Sequence, residues 1–272
     1  MQLASEVFVP AQALVSTNFA IETAIWAIFK HADFNQRYSC YTTMLKLTYL
    51  SQPCLVAQQI NVHKKFSRWS QRLVDANETR IKCKQFMRIA YGNCLLAFDL
   101  MVTNAKAYDN QIEAQIAAIS ICQDLALDQM AFMIVKHLAD TTENALDQNQ
   151  NVAKWLINLT ELASQFFKKF SQVQITGLLT FLIHKLREEN TFVFAFMIHQ
   201  IVAKMFGWSD LVVNQLLPDQ LNVLAAGFAL MLQGKHQSQQ LRQNKKSTEA
   251  LLALFWDSDT NDHQKIGLRL MI

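Results

Sequence analysis

Apolar residues recur through most of this chain at three- and four-residue steps, the spacing of one face of a helix. The pattern is densest from 151 to 207. In its first run Val152, Trp155, Leu156, Leu159, Leu162, Phe166, Phe167 and Phe170 keep that step. In its second, Ile175, Leu178, Leu179, Leu182, Ile183 and Leu186 make a cleaner face. The third, Phe192 to Phe206, carries a stripe of Phe194, Ile198, Ile201, Val202 and Met205, with Phe192 and Phe196 off it. A helix apolar around more than half its girth packs between neighbours, so this stretch predicts two outer helices and a central one.

Further helices are expected along the rest of the chain. Ala11 to Lys30 follows Pro10, which suits a first-turn position. Asn35 to Leu50 comes next. Cys54 to Val74 restarts after Pro53, with Ser51 offered as its cap. Arg80 to Ile89 stops at Tyr91-Gly92-Asn93. Cys94 to Ala107, Ile112 to Leu125, and a helix capped by Asp128 and running to about Leu146 complete the first half. Beyond Gly207, Pro218-Asp219 opens another helix, residues 233–247 read as a Gln-rich basic loop or a frayed helix start, and Thr248 to Trp256 is apolar again.

Composition narrows the fold. The 272 residues hold only 6 Gly and 3 Pro, too few turn formers for a sheet protein. Half the chain is apolar, enough for a large core. The expected fold is all-α: an α-solenoid or irregular helical-hairpin repeat array of about twelve helices, without an exact sequence repeat. It is expected to be one helical-repeat domain over 1–272, with 1–30 as a diverged first helix. Residues 257–272 would be a flexible or incomplete end, since the chain stops on an apolar run, Ile266 to Ile272.

Charge adds one feature. The net charge of +3 predicts no partner by itself. From Asn61 to Ala90, however, eight basic residues, Lys64, Lys65, Arg68, Arg72, Arg80, Lys82, Lys84 and Arg88, face only Asp75 and Glu78. Lys64, Lys65, Arg68 and Arg72 share one helix face, with Phe66 and Trp69 off it as core anchors. A solvated face is the plainer reading, and a site for RNA phosphates or an acidic partner is the functional one. Arg242, Lys245 and Lys246 form a weaker second candidate. Between Asp99 and Glu161 the balance reverses to nine acids against three lysines, partly acids at helix starts.

Catalytic signals are missing. The sequence has no phosphate-cradling Gly-x-x-x-x-Gly-Lys-Ser/Thr or Gly-x-Gly-x-x-Gly and no His-Glu-x-x-His. His184 and His199 lie in apolar helices and are expected as core or boundary residues. The five cysteines form no Cys-x-x-Cys pair and are read as buried free thiols. No run of some 18 uncharged apolar residues suggests a membrane span. Neither a catalytic site, a cofactor, a metal nor a small-molecule substrate is expected.

Several stretches together resemble the large scaffold subunit of the THO complex, the nuclear assembly that couples transcription to mRNA packaging and export. They are Arg37-Tyr38-Ser39, Ser51-Gln52-Pro53-Cys54-Leu55 and Tyr108-Asp109-Asn110-Gln111-Ile112, with Asp99 nine residues before the last. Trp155-Leu156, Phe167-Lys168-Lys169-Phe170, Gly177-Leu178-Leu179, Leu186 and Lys204-Met205-Phe206-Gly207 continue the match. Leu241 to Ser247 and Leu251 close it. The resemblance covers the middle portion of that longer scaffold, a helical-repeat region similar to the middle domain of translation-initiation scaffolds. It implies a non-catalytic nuclear scaffold that docks other THO subunits and a DEAD-box RNA helicase. The alternative is an RNA-binding helical module acting through the basic patch.

Overall fold

The computed structural model describes residues 4–15, 19–48, 51–71, 79–140, 145–146, 151–189 and 192–206. Among the described residues there are eleven α-helices and no strand; Leu146 and Val152 make one isolated bridge. The helices are α1 (Val9–Leu14), α2 (Phe19–Phe29), α3 (Phe34–Thr43), α4 (Pro53–Ser70), α5 (Thr79–Ala90) and α6 (Cys94–Ala107). They continue with α7 (Ile112–Ala118), α8 (Asp124–Ala139), α9 (Lys154–Lys169), α10 (Thr176–Glu189) and α11 (Phe192–Phe206). The expected all-α architecture is what the described residues form.

The chain divides into two compact units. The first holds residues 1–144 and 153–162, the second residues 145–152 and those from 163 onward.

In the first unit α8 is the enclosed element. It packs against α2, α3 and α6, and Leu125 through Ile134 is buried without a break. No polar face remains over that run, so a buried polar group within it, such as Asp128, must find its partners on neighbouring helices. The α4–α5 hairpin is joined by Trp69, whose indole N–H donates to the Lys82 carbonyl at 3.1 Å and whose ring lies 4.9 Å from Phe86. Phe86 in turn meets Phe98 of α6, so both helices of the hairpin are anchored inward by aromatic rings. Gly92 turns the chain from α5 into α6 at φ +74°, the left-handed conformation that ends helices. Asn93 follows and donates through Nδ2 to the Ala13 carbonyl, tying this corner to α1.

In the second unit the Phe166 ring meets Phe167 edge-on at 5.1 Å and Phe170 at 5.2 Å. Ile175, Leu178, Leu179 and Leu182 of α10 are buried, while Ile183 and Leu186 are only half-buried. On α11 the expected stripe of Phe194, Ile198, Ile201, Val202 and Met205 is buried throughout, and α10 and α11 pack together.

Several expectations are corrected. Ala11 to Lys30 is two helices, α1 and α2, rather than one. Ile112 to Leu125 ends as an α-helix at Ala118, passes through a tight turn at Ile119–Ile121, and gives way to α8 at Asp124. Gln52, not Ser51, occupies the N-cap of α4, and its side chain makes no capping bond. Asp128 does not cap a helix; it lies inside α8, whose N-cap is Gln123. The elements expected after Gly207 lie outside the described residues.

Candidate functional site

The basic hairpin is built on a simple helical offset. On α4 the buried positions are Leu55, Val62, Phe66 and Trp69. Lys64, Lys65 and Arg68 are exposed on the remaining arc, and Lys64 lies opposite Val62 and Phe66. On α5 the buried residues include Cys83, Phe86, Ile89 and Ala90, while Lys84 and Arg88, one turn apart, are exposed opposite Phe86. Phe66 and Trp69 are core anchors, as expected. Among the described residues, none of Lys64, Lys65, Arg68, Lys84 and Arg88 makes an ion pair. Exposed lysines elsewhere do: Lys136 meets Asp99 at 2.6 Å and Lys154 meets Asp109 at 3.8 Å.

Lys82 is a correction to the expected patch. It falls on the inward arc of α5, only 9% exposed, and its carbonyl accepts the Trp69 indole. Its register places it four residues before Phe86, on the same face, so it cannot join the outer row. Arg72, Arg242, Lys245 and Lys246 lie outside the described residues, as does the side chain of Arg80.

Charge spacing along the chain gives no sign of three polar clusters that lock α8. The first joins α3 to α8. Arg37 grips Asp128 with Nε and Nη2, each at 3.0 Å, and donates through Nη1 to the Ala32 carbonyl at 2.7 Å. The Tyr41 hydroxyl donates to the same carboxylate at 2.8 Å. Burial and the Asp128 charge push the Tyr41 hydroxyl well above its ordinary range, so it remains a donor.

The second cluster clasps the start of α8. Gln123 makes no capping bond of its own, and its Oε1 accepts instead from the Thr23 hydroxyl of α2 at 3.1 Å. Beside Thr23, Glu22 accepts the Ala126 N–H in the first turn of α8 and so caps the helix from a neighbour. Glu22 is 2% exposed, and burial drives its carboxyl up to about 7 against that hydrogen bond. The Cys94 and Cys122 thiols near it are pushed up by burial and by its charge, which makes them poor nucleophiles.

The third cluster closes the far end. Asp99 of α6 accepts from Lys136 at 2.6 Å and from His137 Nε2 at 3.1 Å. Burial raises its carboxyl, but the hydrogen bonds from His137 and Lys136 outweigh it and hold Asp99 at about 2. These acids are committed to helix packing.

The remaining expectations divide. Cys40, Cys83 and Cys94 are buried free thiols, whereas Cys54 is exposed and Cys122 half-buried. His184 and His199 are exposed, on the outer sides of α10 and α11, and not in the core. Among the described residues no three His, Cys, Asp or Glu side chains gather as a metal site, and no helix is long and apolar enough to cross a membrane.

Comparison with known proteins agrees with the resemblance. Residues 86–160, from the middle of α5 to the middle of α9, match the family model described as a transcription- and export-related complex subunit. THO complex subunit 2 of Homo sapiens is 23% identical over 260 residues, 95% of this chain and 16% of that protein. The Arabidopsis thaliana protein of the same name is 22% identical over 264 residues, 97% of this chain and 14% of its own length. That of Saccharomyces cerevisiae is 20% identical over 248 residues, 91% of this chain and 15% of its own length. The chain thus spans about a sixth of the length of these relatives. Helical throughout its described residues apart from the connecting turns, the chain is similar in sequence to THO complex subunit 2 through nearly all of its own length.

Proposed function

We propose that this chain is a non-catalytic scaffold segment of a THO-type nuclear complex that couples transcription to mRNA processing and export. In this reading it is one helical-repeat domain over 1–272 that docks other THO subunits and a DEAD-box RNA helicase through exposed helix faces. The observation that carries the reading is the similarity to THO complex subunit 2 over 95% of the chain. The internal polar clusters suit it, since they fix helices against one another and leave the outer faces for partners.

A second reading has one observation in its favour. The exposed, unpaired cations of the α4–α5 hairpin suit RNA phosphates or an acidic partner, with Arg242, Lys245 and Lys246 as a further basic segment. RNA binding would show a fall in log affinity of about 0.7 per neutralised phosphate with log salt, which an apolar protein interface lacks.

A pull-down from nuclear extract with the purified chain, repeated after nuclease treatment, separates the two. Recovery of THO subunits or the helicase that survives nuclease is the expected result. Recovery that disappears with nuclease makes RNA binding the primary activity, and recovery of neither overturns the scaffold reading.

A further inference from the structure

The outer surface of the α4–α5 hairpin is not purely basic. Ile60 and Ile81 are each 52% exposed, more than most large apolar side chains here. On α4, Ile60, Lys64 and Arg68 follow at four-residue steps and form one row. On α5, Ile81, Lys84 and Arg88 follow at steps of three and four and form another. Each row therefore presents an apolar side chain one turn before two cations. Both rows lie on the side of their helix turned away from the buried rings, Phe66 and Trp69 on α4 and Phe86 on α5.

We infer that this surface docks an acidic, amphipathic protein segment, whose apolar side chains cover Ile60 and Ile81 and whose carboxylates meet Lys64, Arg68, Lys84 and Arg88. The inference rests on the scaffold reading above and names the kind of partner one face would take. Charge complementarity selects the sign of the partner, because these four cations have no counter-charge among the described residues. The isoleucines select its class. Single-stranded RNA gains its non-electrostatic affinity by stacking bases on aromatic rings, and the aromatic rings described on these two helices are buried inward. An exposed isoleucine gains nothing from a phosphate, but it gains from an apolar side chain in proportion to the area covered. The three- and four-residue spacing of the rows suits a partner that is itself helical.

The test uses the full 272-residue chain and fluorescence anisotropy with three probes: a synthetic helical peptide with Leu on one face flanked by Glu, a polyglutamate peptide, and oligouridine. The amphipathic peptide is expected to bind best and to retain part of its affinity at high salt. An Ile60→Ser/Ile81→Ser variant is expected to weaken that peptide by about tenfold and leave polyglutamate binding nearly unchanged. A Lys64→Glu/Lys84→Glu variant is expected to lose both peptides. All four substitutions are at exposed positions, and a circular dichroism melt checks that the variants fold. Equal binding by the isoleucine variant and the parent, no binding of the amphipathic peptide, or a preference for oligouridine would each overturn the inference. The two proposals fail separately. If the parent and both variants recover the same THO subunits from extract while the peptide does not bind, the scaffold reading stands and this face is not its dock. If the peptide binds through the isoleucines but no subunit is recovered, the converse holds.

Discussion

Arg37 and Asp128 stand 91 residues apart in the chain, yet they form a two-point ion pair of 3.0 Å contacts, buried on both sides. Desolvating both charges cancels much of their attraction, so the intact pair adds little net stability. Breaking it is another matter, because one charge stays buried without its counterpart. Asp128→Asn is expected to destabilise the chain by about 3–5 kcal/mol. Replacing the whole cluster, with Arg37→Met, Asp128→Leu and Tyr41→Phe, is expected to recover most of that loss. Urea unfolding of the two variants beside the parent decides it; equal losses would mean that the pair stabilises in its own right.

Glu22 should make stability fall as the solution turns from acid to neutral. Its carboxyl titrates near 4.5 in an ordinary setting and near 7 in the fold. Below 4.5 both states are protonated and the fold has its full advantage. As pH rises toward 7 the unfolded chain ionises while the buried group resists, and stability declines by on the order of 3 kcal/mol. Glu22→Gln keeps an acceptor for the Ala126 N–H and removes the charge. Melting temperatures measured from pH 4 to pH 8 (about the range the linkage spans) should slope downward for the parent relative to this variant. Parallel curves would refute the assignment.

Asp99 should act in the opposite sense at lower pH. Its folded value of about 2 lies below the ordinary 3.8, so its contribution is present above 3.8 and is lost as the pH falls toward 2. Its side chain is 34% exposed, and screening by water leaves the effect modest. Asp99→Asn is expected to lower stability at neutral pH and to flatten the acid limb of the unfolding curve. An acid limb identical to the parent's would show that Lys136 and His137 do not depend on this carboxylate.

Gly92 combines two constraints in one residue. A side chain there would sit in the left-handed region at φ +74°, and its Cβ would lie 2.7 Å from the Gln12 carbonyl oxygen. The conformation alone costs about 1–2 kcal/mol for an L-residue, and the clash with backbone adds to it. Gly92→Ala is therefore expected to lower the melting temperature clearly, with α1 losing its protection first in hydrogen exchange. A melt unchanged from the parent's would mean that the corner moves aside without cost.

How far the sequence could be read depends on which force fixes each feature. Helices such as Cys94–Ala107 and the buried stripe of α11 are set by local periodicity, and both appear where the apolar spacing puts them. Asp128 satisfies the capping rule as well as any acid near a helix start does, and only the tertiary fold brings Arg37 to it. Lys82 joins the basic row by composition but leaves it by register, four residues ahead of Phe86. Glu22 is the hardest to see. A single acid in an apolar helix reads as a solvent marker until a second helix offers it an unfilled backbone N–H.

Arg37 and Tyr38 open the sequence resemblance to the THO scaffold, and Arg37 is sealed inside the first unit against Asp128. The part of the signature written in such buried residues identifies the framework and stays silent about what the framework carries. Two chains could share the signature in full and still differ at Ile60, Lys64, Ile81 and Arg88. Likeness carried by buried residues therefore speaks for architecture, while a partner docking on the α4–α5 hairpin would be selected by side chains that the architecture leaves free to vary.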